Sequence, residues 1–126
     1  MKIIHTSHAP EAIGTYSQAV CAGNLVYISG QIPLDPKTMT LISGDFAAQA
    51  TQAFDNLKAV ATAAGATLAN VVKLQIYLRD MNKFSIVNEV MSSYFKKPYP
   101  ARAVVEVSRL PKDALIEVDA VLYLGD

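Results

Sequence analysis

Arg102 opens the stretch "ARAVVEV" (residues 101–107), and Glu117 and Asp119 stand in "ALIEVDAVLYL" (residues 114–124). A guanidinium stays charged at any ordinary pH and is costly to bury without a partner. If 101–107 is a strand, Arg102, Val104 and Glu106 share one face, because side chains alternate along a strand. Glu106 is nevertheless out of reach, since four strand residues span about 13 Å. The partner of Arg102 therefore comes from another strand, another chain or a ligand. Glu117 and Asp119 share a face of the last strand. If "SRLPKD" (108–113) folds as a hairpin turn, they lie near the level of Arg102, with the facing side set by register. Two readings follow. In one, an arginine–acid pair locks the hairpin or an interface. In the other, Arg102 grips a small carboxylate through a two-pronged hydrogen bond, and Glu117 handles protons or water.

The rest of the chain must position these groups. "YSQAVC" (16–21) and "LVYISGQI" (25–32) flank the turn signal "AGN", which predicts a hairpin over 16–32. "PLDPKTMTLISG" (33–44) holds two prolines and reads as an extended loop or edge excursion. From Asp45 to Ala64 the apolar residues fall at helical spacing, with Asp45 as N-terminal cap and Gly65 at the end. "VVKLQIYLR" (71–79) alternates as a half-buried strand. A second helix is expected near 83–96, capped by Asn82 and stopped by Pro98, with Phe84, Val87, Val90, Met91, Tyr94 and Phe95 facing inward. The order β-β-α-β-α-β-β predicts an α+β sandwich, a sheet with two helices on one face. The other face then needs a cover, which an oligomer would supply.

Composition narrows the function classes. The 126 residues fit one domain, 1–126. Hydrophobic residues make up 52% and charged residues 17%. That apolar surplus agrees equally with a hidden subunit interface and with a fuller core. Lysine plus arginine balance aspartate plus glutamate, 11 against 11, and the densest basic cluster is Lys96–Lys97. Nucleic-acid binding, which usually needs a basic face, is not expected. Cys21 is the single cysteine, so no intrachain disulfide forms. His5 and His8 lack the companions of a zinc site. No apolar run approaches the roughly 20 residues of a membrane helix, and the start shows no secretory pattern. The expectation is a soluble cytoplasmic protein without membrane contact or a zinc site.

The segment "YPARAVVEVSRLPKDALIEVDA" closely resembles the C-terminal signature of the RidA/YjgF family, the reactive intermediate deaminases. "APEAIGTYSQAV", "YISGQIPLDPKT" and "VNEVMSSYF" resemble further family segments, so the likeness spans essentially the whole chain. The resemblance implies a chorismate-mutase-like α+β sandwich, assembled as a homotrimer with the sheets in a central barrel and ligand clefts between subunits. It implies hydrolysis of 2-imino acids, in equilibrium with 2-enamino acids, to 2-oxo acids and ammonia. By resemblance, Arg102 binds the substrate carboxylate and Glu117 orients or activates water. The Val104 backbone contacts the imine nitrogen, Tyr16 walls the pocket, and Ser29 and Gly30 supply polar contacts. Asn88 matches a family position near the cleft. Two departures stand out. Thr15 replaces the family's frequent proline before Tyr16, loosening that loop. Val104 replaces a frequent cysteine, which removes any thiol nucleophile there. Other functions described for such proteins are non-catalytic binding of small carboxylates, chaperone or regulatory roles, and RNA cleavage. The balanced charge and the lack of an aromatic-basic stripe argue against the last.

Overall fold

A computed structural model describes residues 1–125. Six strands form one sheet: β1 (Lys2–Ile4), β2 (Ala19–Ala22), β3 (Leu25–Gln31), β4 (Val71–Leu78), β5 (Ala101–Glu106) and β6 (Ile116–Tyr123). Helix α1 (Phe46–Ala63) precedes β4 and helix α2 (Phe84–Met91) lies between β4 and β5. The spatial order is β1-β2-β3-β6-β4-β5. Neighbours are antiparallel except β4 and β5, which run parallel because the connection through α2 returns the chain to the same end.

The local rules explain most elements. Gly23 takes φ +61 in the two-residue turn between Ala22 and Leu25, a backbone state that favours glycine. The Asp45 carboxylate accepts from the Ala48 N–H at 3.0 Å and starts α1. Gly65, at φ +79, ends it. Phe46, Ala50, Ala53, Phe54, Leu57, Val60 and Ala61 recur every three or four residues and are all buried. They pack on Leu74, Ile76 and Leu78 of β4 and on Ile116, Val118, Ala120 and Leu122 of β6. Phe54 stacks on Tyr94 at 5.5 Å between ring centroids and meets Phe95 edge-on at 6.0 Å. Both helices thus lie on one face of the sheet. On the other face Tyr27, Val72, Val105 and Tyr123 are substantially exposed. No helix among the described residues is long and apolar enough to cross a membrane.

The structure departs from the sequence expectations in four places. Strand β1 is additional; three residues are too few to show an alternation. The second helix is shorter than 83–96: α2 covers Phe84–Met91, preceded by a 3₁₀ turn over Met81–Lys83. Asn82 does not cap a helix. Asp80 takes that role for the 3₁₀ turn, accepting from the Asn82 N–H at 3.0 Å, and α2 has no side-chain cap. Finally, "SRLPKD" does not close a hairpin. It spans from β5 to β6 across β4, which lies between them.

Candidate active site

The insertion of β4 decides where Arg102 and Glu117 lie. Arg102 pairs in register with Leu74, and Leu74 also pairs with Ala120. Glu117 pairs with Tyr77, which on its other side pairs with Val105. The two groups are therefore two strand spacings and three residues apart, roughly 14 Å between Cα positions. They also point to opposite faces. Arg102 shares its face with buried Leu74 and the helices, whereas Glu117 shares its face with Tyr77 and Asp119. The Arg102–Glu117 or Arg102–Asp119 pair across a hairpin is excluded within one chain. Ion pairs among the described residues join His5 to Glu11 and Arg79 to Asp113; Arg102 is in neither.

The groups instead fall into two clusters. Tyr16, Ser29, Gly30 and Glu117 line one cavity of about 440 Å³. Its key feature is a bulge in β3. Ile28 pairs with Ala120 and Gln31 with Val118, so β3 spends one extra residue at Ser29–Gly30. The Ser29 hydroxyl donates to the Ser17 carbonyl at 2.6 Å and its N–H to the Gln18 carbonyl at 2.9 Å, which tie the bulge to β2's approach. Gly30 makes room for the acid: a Cβ there would come within 2.6 Å of Glu117 Oε2. Tyr16 is half-exposed at the wall, its hydroxyl accepting from the Ile13 N–H at 3.3 Å.

Arg102 and Asn88 line a second cavity of about 430 Å³, with Met91, Phe95 and Tyr99. Arg102 Nη1 donates to Asn88 Oδ1 at 2.7 Å, and the guanidinium lies 5.1 Å from the centroid of the Phe84 ring. These contacts fix the plane of the guanidinium while using few of its five N–H groups. Val104 lies on the same strand and face, half-buried against the core. Since β5 is the outermost strand, backbone groups along its outer edge are open to a ligand or another chain.

Glu117 is partly buried. Burial pushes its carboxyl up from the ordinary glutamate range, and the Asp119 charge pushes the same way. Burial also raises Asp119, while a hydrogen bond from the Tyr77 hydroxyl partly offsets it. That bond measures 3.0 Å to Asp119 Oδ2. In its charged form Glu117 is thus suited to take a proton from water in the cavity.

Three buried amides that the sequence reading passed over hold the first cavity in shape. Gln18 accepts from the Thr6 N–H at 2.7 Å and donates to the Thr6 and Pro10 carbonyls, pinning the N-terminal segment. Asn56 donates to the carbonyls of Ile32 and Leu34, both at 3.0 Å. Gln49 accepts from the Leu115 N–H at 3.0 Å, two residues before Glu117. Two of these, on α1, interrupt its apolar face, and that interruption was the available signal.

A mixed six-stranded sheet under two helices, with a carboxylate beside a glycine bulge and an arginine on an edge strand, defines a small α+β domain with candidate site groups on both sheet faces. The profile of the Endoribonuclease L-PSP family matches residues 6–124, and the chain belongs to this family, also called RidA/YjgF. A RutC family protein of Pyrococcus horikoshii is 52% identical over 122 residues, 97% of each chain. The human 2-iminobutanoate/2-iminopropanoate deaminase is 47% identical over 124 residues, 98% of this chain and 90% of the relative. The crystal structure of RidA from an Antarctic Psychrobacter superimposes with a TM-score of 0.94 at 50% identity, covering 98% of this chain and 99% of that one.

Proposed function

We propose that this protein is a cofactor-independent deaminase. It hydrolyses 2-imino and 2-enamino acids, such as 2-iminopropanoate and 2-iminobutanoate, to 2-oxo acids and ammonia in the cytoplasm. The observation that carries the reading is the pair of half-sites. An oriented arginine with no carboxylate partner among the described residues lies on one face, and a carboxylate with a raised proton affinity lies on the other. Two copies of the chain would complete one cleft, with Arg102, Asn88 and Val104 from one copy and Tyr16, Ser29, Gly30 and Glu117 from its neighbour. A homotrimer with three such clefts would also cover the exposed sheet face.

In that cleft Arg102 holds the substrate carboxylate through its free N–H groups. The imine nitrogen, protonated, meets the Val104 backbone. Glu117 accepts a proton from water as the oxygen bonds to the imine carbon, and the C=N electron pair moves to nitrogen. In the resulting carbinolamine Glu117 returns its proton to the nitrogen; the C–N bond breaks, ammonia departs, and the hydroxyl proton passes to Glu117 and then to solvent as the carbonyl forms. Water is the only co-reactant, and positioning supplies much of the acceleration.

The test generates a 2-imino acid in situ with an amino-acid oxidase and traps the survivors with semicarbazide. Wild-type protein should lower the trapped product, and Arg102→Ala and Glu117→Ala should not. A second reading, non-catalytic binding of small carboxylates, is favoured by the self-contained Arg102–Asn88 arrangement. It takes over if wild type leaves trapping unchanged while a 2-oxo acid still binds.

A further inference from the structure

Tyr77 lies opposite Glu117 in the β4–β6 register. Its hydroxyl passes Glu117 by and donates to Asp119 Oδ2 at 3.0 Å, with Gln75 Oε1 3.3 Å away as the alternative acceptor. Asp119 is two residues along the same strand face from Glu117, a spacing of about 6.6 Å along the backbone. With the Arg102–Asp119 pair excluded within one chain, the deaminase chemistry leaves this second acid without a task. A surface acid needs no tether, yet this one is half-buried and held by a hydroxyl that itself resists ionisation: burial, the Asp119 hydrogen bond and the Asp119 and Glu117 charges all push Tyr77 up.

We propose that Asp119 is a positioning residue for Glu117: anchored by the Tyr77 hydroxyl, it keeps a second negative charge beside that carboxylate and makes it a stronger base toward the attacking water. The inference rests on the deaminase reading for its catalytic use, but the effect on Glu117 itself does not. On β4, Lys73 faces the same side as Tyr77, one turn of the pleat beyond Gln75. Across the cavity are Glu11 and Lys112, and in the proposed assembly the neighbour's arginine approaches from the open side. The cations favour the charged form of Glu117. Asp119 opposes them from the shortest covalent spacing and is the only acid on that strand face with a fixed donor.

The experiment follows the Glu117 side-chain carboxyl by carbon-13 NMR as pH is varied, with the signal assigned through Glu117→Gln. Asp119→Asn removes the charge and keeps an acceptor for Tyr77. It should lower the Glu117 midpoint, because a like charge beside a carboxylate holds its proton affinity up. Asp119→Glu, which retains the charge, should restore most of the midpoint. Asp119→Ser serves if the asparagine variant does not fold. The acid limb of the kcat/KM profile should move down with the same variants. An unchanged or raised midpoint in the neutral variants overturns the proposal. If the midpoint falls but wild type hydrolyses no imine, the charge coupling stands and the catalytic use falls with the deaminase reading.

Discussion

Mixing two inactive variants should recover activity that neither has alone. Arg102→Ala keeps Glu117, and Glu117→Ala keeps Arg102. Within one chain these groups are about 14 Å apart at the backbone, two strands and three residues. They also lie on opposite faces of the sheet, with Leu74 and Tyr77 of β4 between them. Neither side chain can cover that span through a packed sheet. If each cleft of a trimer takes its arginine from one copy and its glutamate from the next, a random 1:1 mixture gives both intact groups in about one quarter of clefts. The two variants would be unfolded and refolded together, or co-expressed with different tags, and the mixed assemblies isolated. Imine consumption per subunit would then be measured by semicarbazide trapping. About one third of wild-type activity is expected from the isolated mixed trimers, because each holds one intact cleft in three; the unfractionated mixture, with its inactive homotrimers, should show about one quarter. Mixed assemblies no more active than the parents would refute the two-copy cleft.

Gly30→Ala should reduce activity while the fold persists, because the new Cβ meets Glu117 Oε2 at 2.6 Å and Cδ at 2.8 Å. Relief requires moving the carboxylate by close to 1 Å, a displacement that costs on the order of 10²-fold in rate; trapping assays beside a melting curve would show it, and full activity would remove the reason for glycine. Phe54→Ala empties a fully buried site between α1, Tyr94 and Phe95. It should cost about 3–5 kcal/mol in a denaturant titration. Asp119→Asn should raise the melting temperature at pH 7.5 and have no effect near pH 3. The fold raises the Asp119 pKa, so its ionisation opposes folding. The native state then binds more protons than the unfolded one above the ordinary aspartate value of about 4, and stability falls as pH rises through that window.

The sequence made the local elements legible and left the long-range ones open. Helix α1 could be read to its caps because Asp45, Gly65 and seven buried apolar residues all obey one period. Strand β4 was equally clear from its alternation. Its place between β5 and β6 was not, because no local pattern records which strands pair. The hairpin expected at "SRLPKD" failed for that reason, and with it the intrachain partner for Arg102. The residues of the first cavity were reached through a family likeness, since Ser29 and Gly30 read locally as nothing more than a strand end. Their bulge appears only when Ala120 and Val118 of β6 are set opposite. Gln18, Gln49 and Asn56 escaped notice because a buried amide is justified by backbone partners distant in sequence, such as Leu115 for Gln49.

The strand order also bears on how the two half-sites are tuned. In the single chain Arg102 is exposed and solvated, so an unpaired guanidinium costs little. Glu117 is already partly buried. Closing a second copy over the open sheet face would remove water from both. The arginine's hold on a carboxylate strengthens as the local dielectric falls. The same desolvation raises the proton affinity of Glu117 further, while the incoming arginine lowers it. Asp119 acts against that second effect from a fixed distance along β6. An acid with a permanent like-charged neighbour can stay basic enough to activate water even after a cation arrives. This is a reason for a hydrolytic cleft split between chains to keep its second acid on the same strand as the first.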